Sequence, residues 1–414
     1  MSNDALAAER AKAGSIPGHV PPELVVNYQY GEERDFADDP QRAAARLLDG
    51  PRVVFTTNLQ HDQRQGWRVQ RYEDVRAVYQ DGETFSSKNG ANFQAFIGAS
   101  WDMIPLELDG ERHQKFRMLL NPLFAPGKIN AMEAGVRELA VSLIEAFREK
   151  GECEFMEDFA RPYPISIFLK LMDLPLEMRS EFLAWEYEVL HAKDMDVRRG
   201  GVRKIVNYLQ KVIDERRSAP GDDLVGFAIK ARIDGEPLSD DDVMGLVFML
   251  YIGGLDTVVS ALGFFFKHLA THPEQRRELI ENPALLPDAV DEMLRAFSAV
   301  NSSRLLTRDV EFAGVQMKKG DRVFVTTIAA NRDSEEFERP HEVDFHRSPN
   351  RHLTFAAGPH RCIGSHLARR ELKIALEEWL KRIPDFAIKP GAEMPAHAGG
   401  VWGIENLPLY WPPK

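Results

Sequence analysis

Ten consecutive residues, Phe355-Ala356-Ala357-Gly358-Pro359-His360-Arg361-Cys362-Ile363-Gly364, carry the strongest chemical signal in the chain. They set a cysteine in a glycine-bounded turn directly ahead of a helix-patterned stretch over 363–382. The amides and positive end of that helix would favour a thiolate over a thiol. Gly358 and Gly364 would remove bulk on both sides of the sulfur, so that a flat group could approach the backbone. Phe355 would shield the sulfur from water. A dry thiolate with hydrogen bonds to its sulfur is a tuned metal ligand, which makes Cys362 the candidate ligand. A lone cysteine near a helix start is usually a structural core residue; ten patterned residues argue for more.

Three further groups could do chemistry. Gly253-Gly254-Leu255-Asp256-Thr257 interrupts a strongly apolar helix. Each mid-helix glycine costs about 1 kcal/mol relative to alanine, and an acid and a hydroxyl there cost more unless satisfied. A kink with Thr257 bonded back to a carbonyl accounts for this locally; a proton source acting through a water accounts for it functionally. Glu292 and Arg295 stand three apart on a helix and can pair, which on a surface stabilises little. His113 and Arg117, four apart, share a helix face that is either solvated or holds an anion.

Phe-x-x-Gly-x-His-x-Cys-x-Gly resembles the haem-binding signature of the cytochromes P-450 and matches it at every fixed position. The resemblance implies haem b, with Cys362 on the iron and Phe355, Gly364 and Gly253 against the cofactor. It implies that His113 and Arg117, joined by Arg304 and His360, bind the propionates, for which the arginine fork is suited. It gives Glu292 and Arg295 a third member, Arg347, in a structural network that locks the loop before the cysteine. It makes Thr257 the holder of a distal water and Asp256 the relay of protons from solvent.

Ile252 to Val259, Leu367-Ala368-Arg369-Arg370-Glu371 and Ile383-Pro384-Asp385-Phe386 look like the bacterial camphor 5-monooxygenase subfamily. That implies O₂ chemistry on a small apolar terpenoid, with electrons from NADH through a reductase and a two-iron, two-sulfur ferredoxin. Trp101 stands where the camphor hydroxylases place a tyrosine whose hydroxyl holds the substrate ketone. An indole is larger and can only donate, so a norisoprenoid such as an ionone, or a terpenoid of another shape, is expected instead of camphor. Phe96, Met249, Ile252, Val300, Val401 and Trp402 align near the other pocket walls. Ser302 replaces an acid common beside a propionate. The ferredoxin is expected near Arg117, Arg369 and Arg370, with Arg351 and Arg361 close by. A peroxygenase using H₂O₂ is the rival enzyme, and the Asp256-Thr257 pair argues against it. A non-catalytic haem sensor is the rival from another class, and no output module is evident.

The elements that must position these residues are mainly helical. Apolar stripes at helical spacing mark 72–80, 112–120, 132–147, 178–190, 202–216, 284–297 and 363–382. Ser239 with Asp242 reads as a capping box opening the apolar helix over 239–272. Its length suits a membrane span, but Asp256, Thr257 and Ser260 in its middle favour a buried central helix. A β-hairpin is expected with Val310–Met317 and Arg322–Thr326 as arms around Lys318-Lys319-Gly320-Asp321. Residues 333–355 form a long polar meander, and 1–35 an irregular lead-in. The expected fold is mainly α with small β-sheets, one large P-450 domain over 1–414, with the haem between the central helix and the Cys-loop helix.

Composition bounds the rest. The 414 residues are 44% apolar and 28% charged, with no low-complexity tract. A net charge of −12 repels phosphate backbones and anionic lipids, so neither nucleic acid nor membrane is an expected partner. The two cysteines make no disulfide framework, and the polar N-terminus lacks an apolar signal core, so a cytoplasmic location is expected.

Overall fold

The computed structural model of the chain describes residues 16–27, 36–59, 64–91, 93–192, 194–219 and 221–412. Two large apolar cores fill it. One gathers Phe155, Phe159, Phe266, Trp379 and Phe386 around the helices Asp256–Thr271 and Ser365–Arg382. The other gathers Phe168, Phe182, Phe248 and Tyr251 around Asp240–Gly254 and Met195–Ser218. The central helix therefore passes from one core into the other. It opens as its sequence predicts, with the Ser239 hydroxyl accepting the Asp242 amide at 3.1 Å, a cap worth about 1 kcal/mol. It then breaks at Leu255 (φ −100°, ψ −77°), between the glycines and Asp256. Taken whole, Asp240–Thr271 is apolar and long enough to cross a membrane, but most of its apolar stretch is buried inside the protein.

Around the helices lie small sheets. The largest has six strands in the order Val25–Val26, Val53–Leu59, Arg64–Val69, Arg322–Val325, Ser302–Leu306, Phe85–Ser86. Trp67, Val69, Val323 and Val325 turn their side chains into a third core, against Val75 and Val78 of the helix Tyr72–Gln80.

Two expectations are corrected here. The hairpin is real but its turn is Ala313-Gly314 (φ +50° and +81°), which joins Val310–Phe312 to Val315–Met317. Positive φ at both central residues suits the twist of a tight hairpin. Arg322–Val325 instead pairs antiparallel with Ser302–Leu306 and parallel with Arg64–Val69. The lead-in is not wholly irregular either: Val25–Val26 adds a parallel strand beside Phe55 and Thr56. The remainder of that lead-in, 1–15 and 28–35, lies outside the described residues. The meander 333–355 is, as expected, free of helix and strand.

Candidate functional site

The cysteine loop is held from both ends. The Cys362 amide donates to Phe355 O at 2.9 Å and the Arg361 amide to Gly358 O at 3.1 Å. Gly358 has φ +68°, and a Cβ there would lie 2.5 Å from the Tyr79 carbonyl oxygen. Its glycine thus serves the turn and the seat on the neighbouring helix, not clearance beside the sulfur, which corrects the sequence reading. Gly364 does flank the sulfur: an added Cβ would sit 3.9 Å from Cys362 Sγ. The helix begins at Ser365, and the Gly364 amide bonds the sulfur. Burial pushes the Cys362 thiol up; the Gly364 amide with Arg117, Arg369 and Arg361 draws it only part of the way back. A cation bound at the sulfur would favour the ionised form. The Cys362 residue is nonetheless accessible, so the loop leaves its surface open to an internal cleft. The other cysteine, Cys153, is a buried strand residue whose thiol burial pushes far up.

The loop's anchorage is the network read from Glu292, Arg295 and Arg347. Glu292 is 1% and Arg295 0% exposed, so this is no surface pair. Arg295 meets Glu292 through Nε and Nη2 at 2.9 and 2.8 Å. It also donates to the carbonyl of Asn331 and, in the meander, to those of Pro340 and Glu342. Arg347 Nε closes on both Glu292 oxygens, at 3.1 and 3.0 Å. The Asp344 amide and Asn350 Nδ2 fill the rest of Glu292's acceptor capacity. A densely hydrogen-bonded buried network fixes one arrangement of its neighbours.

Across the cleft, Gly253 and Gly254 are exposed within an otherwise buried helix. A Cβ at Gly253 would meet only the flexible Met249 Cε, at 2.8 Å, and one at Gly254 would meet Phe168 Cδ2 at 3.8 Å. The chain's own packing does not demand either glycine, and the bare face they leave would accept a flat group. Thr257 Oγ1 donates to Gly253 O at 3.4 Å, a long bond that a water can replace. Asp256 turns aside, its Oδ2 3.1 Å from His191 Nε2.

The cations for an anionic group are assembled and under-used. His113, on the helix Gly110–Leu120, is 2% exposed, and its Nε2 has no hydrogen-bond partner. Burial, then His360 and Arg117, lower its pKa to about 4. Its ring lies 4.0 Å from that of His360. Arg304 is buried on the strand Ser302–Leu306, with one hydrogen bond among the described residues, to Ser303 O at 2.8 Å. Burial lowers its pKa, which Tyr79 and Asp109 partly offset. A buried guanidinium and an orphaned imidazole beside an accessible cysteine fit the two carboxylates of a haem. Arg117 donates to Arg361 O at 2.7 Å and Asn121 Oδ1 at 3.0 Å. Ser302 Oγ, in place of an acid, joins Tyr79 Oη at 3.1 Å.

Sequence reasoning missed Asp109 and Glu107. Asp109 lies 3.4 Å from His360 Nε2. Burial would raise its carboxyl, but His360, Ser86 and the Ser87 amide hold it at about 2. Glu107 accepts from Ala91 N, Gln94 Nε2 and Met103 N, and so ties down the loop that carries Phe96 and Trp101. That loop also rests on the central helix, where a Cβ at Gly245 would lie 2.0 Å from Asp102 O. No local pattern marks either acid.

The expected pocket residues divide. Trp101 packs on Phe248 at 5.1 Å, in one apolar cluster with Ile252, against which Phe96 and Met249 are half-buried. Val300 bridges to Val401. Trp402 is corrected: it is 0% exposed and packs on Phe36 at 5.3 Å in a separate cluster with Ala44 and Ile328. Neighbours on extended chain point to opposite faces, so Val401 and Trp402 do not share a wall. The expected basic patch also changes. Arg369 is tied to Asp291 at 2.6 Å and covers the Phe355 ring at 4.5 Å. Arg370 pairs with Glu133, and Arg351 with Glu336. Arg117 and Arg361 alone of the group have no carboxylate partner among the described residues.

Comparison with known proteins finds relatives along the whole chain. The family model "Cytochrome P-450" matches residues 182–395. A probable cytochrome P-450 127A1 of Sinorhizobium fredii is 39% identical over 98% of this chain and 99% of its own length. A steroid C26-monooxygenase of Mycobacterium tuberculosis is 30% identical over 92% of this chain and 96% of its own. Among solved structures, CYP101C1 (35% identical) and CYP101J2 (33%) each superpose with TM-score 0.85 over 96% of this chain and all of theirs.

Proposed function

The chain belongs to the cytochrome P-450 family of haem b monooxygenases, and from that premise we propose that it hydroxylates a small, rigid, apolar terpenoid or norisoprenoid. Electrons would come from NADH through a flavoprotein reductase and a two-iron, two-sulfur ferredoxin. In the balanced reaction one oxygen atom of O₂ enters a C–H bond, and the other leaves as water with two electrons and two protons. The haem supplies the iron at which O₂ is activated.

The observation that carries the substrate class is the apolar wall of Trp101, Phe248 and Ile252 running directly into the Gly253–Thr257 break. Apolar side chains orient a small rigid molecule by shape, and few polar groups are needed to fix it. In this reading Cys362 holds the iron, while His113, Arg304 and His360 hold the propionates with Arg117 beside them. Thr257 releases its long bond to Gly253 O to hold a water, and Asp256 passes protons to it. The Asp256-Thr257 pair supports O₂ with a redox partner over peroxide chemistry. The ferredoxin docks over the cysteine loop at Arg117 and Arg361, next to Met118, which is 68% exposed. Acidic partners are steered to such a patch at rates that fall with salt. Two free cysteines and a membrane-length helix buried in the core support a cytoplasmic location.

A spectral titration tests the substrate class. Terpenoids and ionones should shift the ferric spin state as they displace water from the iron. A shift with steroid-sized compounds and none with terpenoids would overturn the reading. Turnover with H₂O₂ but none with NADH, reductase and ferredoxin would reverse the electron-donor reading.

A further inference from the structure

Beside the helix break lies a cavity of about 30 Å³ lined by Glu186, Tyr187, His191, Asp256, His397 and Glu405. A water needs roughly 10–15 Å³ by the same measure, so water fits there. Glu186 projects into it from the helix Arg179–Leu190, on the buried stripe Phe182, Glu186, Val189. Its Oε1 is buried with no hydrogen-bond partner, and the Asp256 amide bonds its carboxyl. Burial, reinforced by the Asp256 charge, pushes the Glu186 carboxyl well above the usual range, while Arg161 opposes. Tyr251, whose hydroxyl donates to Phe182 O, lies on the same side. An unpartnered acid next to a second acid is costly unless it keeps its proton.

A path leads outward from this pair. Asp256 Oδ2 is 3.1 Å from His191 Nε2. The His191 ring meets the His397 ring edge-on at 4.5 Å. His397 Nδ1 is 2.9 Å from Glu405 Oε1, and Arg161 flanks Glu405 at 3.8 Å. His397 occupies its place because residue 403 is glycine: a Cβ there would fall 2.8 Å from His397 Cε1 and 3.0 Å from Ser260 Oγ.

We propose that Glu186 is a proton-carrying residue, which stores a proton beside Asp256 and is refilled from solvent through cavity water and the His191–His397–Glu405 chain. The inference rests on the oxygenase reading, because it makes Glu186 the supplier of the acid that serves the distal site. When Asp256 has given up its proton, one passes from the Glu186 carboxyl to the Asp256 carboxylate. Glu186 then takes a proton along the cavity water from an imidazolium, which takes one in turn from solvent. Only O–H and N–H bonds change, and no electron moves.

Infrared spectra of the haem-loaded protein in H₂O and D₂O at neutral pH test the store. Glu186→Gln should delete one protonated-carboxyl band. Glu371→Gln, at a second buried carboxyl raised by burial, should delete a different band, which separates the two carboxyls. Glu186→Gln should also slow product formation about tenfold, with a larger solvent isotope effect and an unchanged substrate spin shift. Glu186→Asp should recover part of the rate. If the band survives Glu186→Gln, or vanishes with rate and isotope effect unchanged, the proposal is wrong. Should Glu186→Gln not fold, His397→Phe tests the outer path: turnover should fall severalfold with the Glu186 band intact, and an unchanged rate overturns the path. The band needs no substrate, so failure of the oxygenase reading shows separately, as absent turnover in the unsubstituted protein.

Discussion

The two faces of the cleft are built on opposite terms. On the cysteine side, Glu292, Arg295, Arg347 and the loop carbonyls satisfy one another. On the central-helix side, groups are left wanting: Thr257 makes a long bond, and Asp256 shares a cavity with Glu186, whose Oε1 has no hydrogen-bond partner. The first face must hold one atom in one place. The second must receive a substrate, O₂, water and protons, so its polar groups keep spare capacity. Rigidity is stored where the geometry has one right answer, and unsatisfied chemistry where ligands come and go.

The comparison can be broken from either side. Cys362→Ser should abolish the thiolate-type spectrum of the reduced carbonyl complex and all turnover; retention of that spectrum would place the ligand elsewhere. Glu292→Ala leaves two guanidiniums buried without their carboxylate and should destabilise the fold by about 3–5 kcal/mol. Chemical denaturation reads that loss, and a change under 1 kcal/mol would show the network to be dispensable.

His113, against His360 of the cysteine loop, sharpens the first side through pH. Its folded value of about 4 lies below the unfolded histidine value of about 6.5. The unfolded state therefore binds the proton first, and stability present above about pH 6.5 is lost as pH falls toward 4. The haem-free protein should lose stability from this group across that window. His268, also lowered to about 4 by burial, acts in the same direction, so the contrast with His113→Asn isolates the effect. Equal slopes for the two proteins would refute the assignment. Haem should flatten the slope, since propionate charge favours the imidazolium.

Smaller effects belong to the distal pocket. Thr257→Ala should leave haem loading intact and raise the share of NADH lost to peroxide severalfold; tight coupling would remove Thr257 from the mechanism. Trp101→Tyr should change the ranking of terpenoid ketones in a spin-state titration, by about 1–3 kcal/mol for a ligand that gains the hydroxyl. An unchanged ranking would mean that position 101 does not face the substrate.

Much of this was legible. Helix 72–80 was read to the residue, and the Ser239 cap was read from the sequence pattern. The misreadings share a cause. The hairpin turn was placed at Lys318–Asp321 because that cluster looks polar, whereas Ala313-Gly314 makes the turn by backbone conformation. Glu186 carried a signal in its place on an apolar stripe, but a stripe does not say what faces it.

What the sequence determined by itself was local or periodic: the thiol in its glycine-bounded loop, the broken central helix, the i, i+3 pair. Adjacent residues in the chain encode those directly. Tertiary structure decided everything that depends on burial and on partners far away in sequence. It turned Trp402 from the pocket, tied Arg369 and Arg370 to acids, raised the Cys362 thiol against the helix end, and set Glu186 beside Asp256. Desolvation and charge pairing act through space, over distances that no run of residue types records.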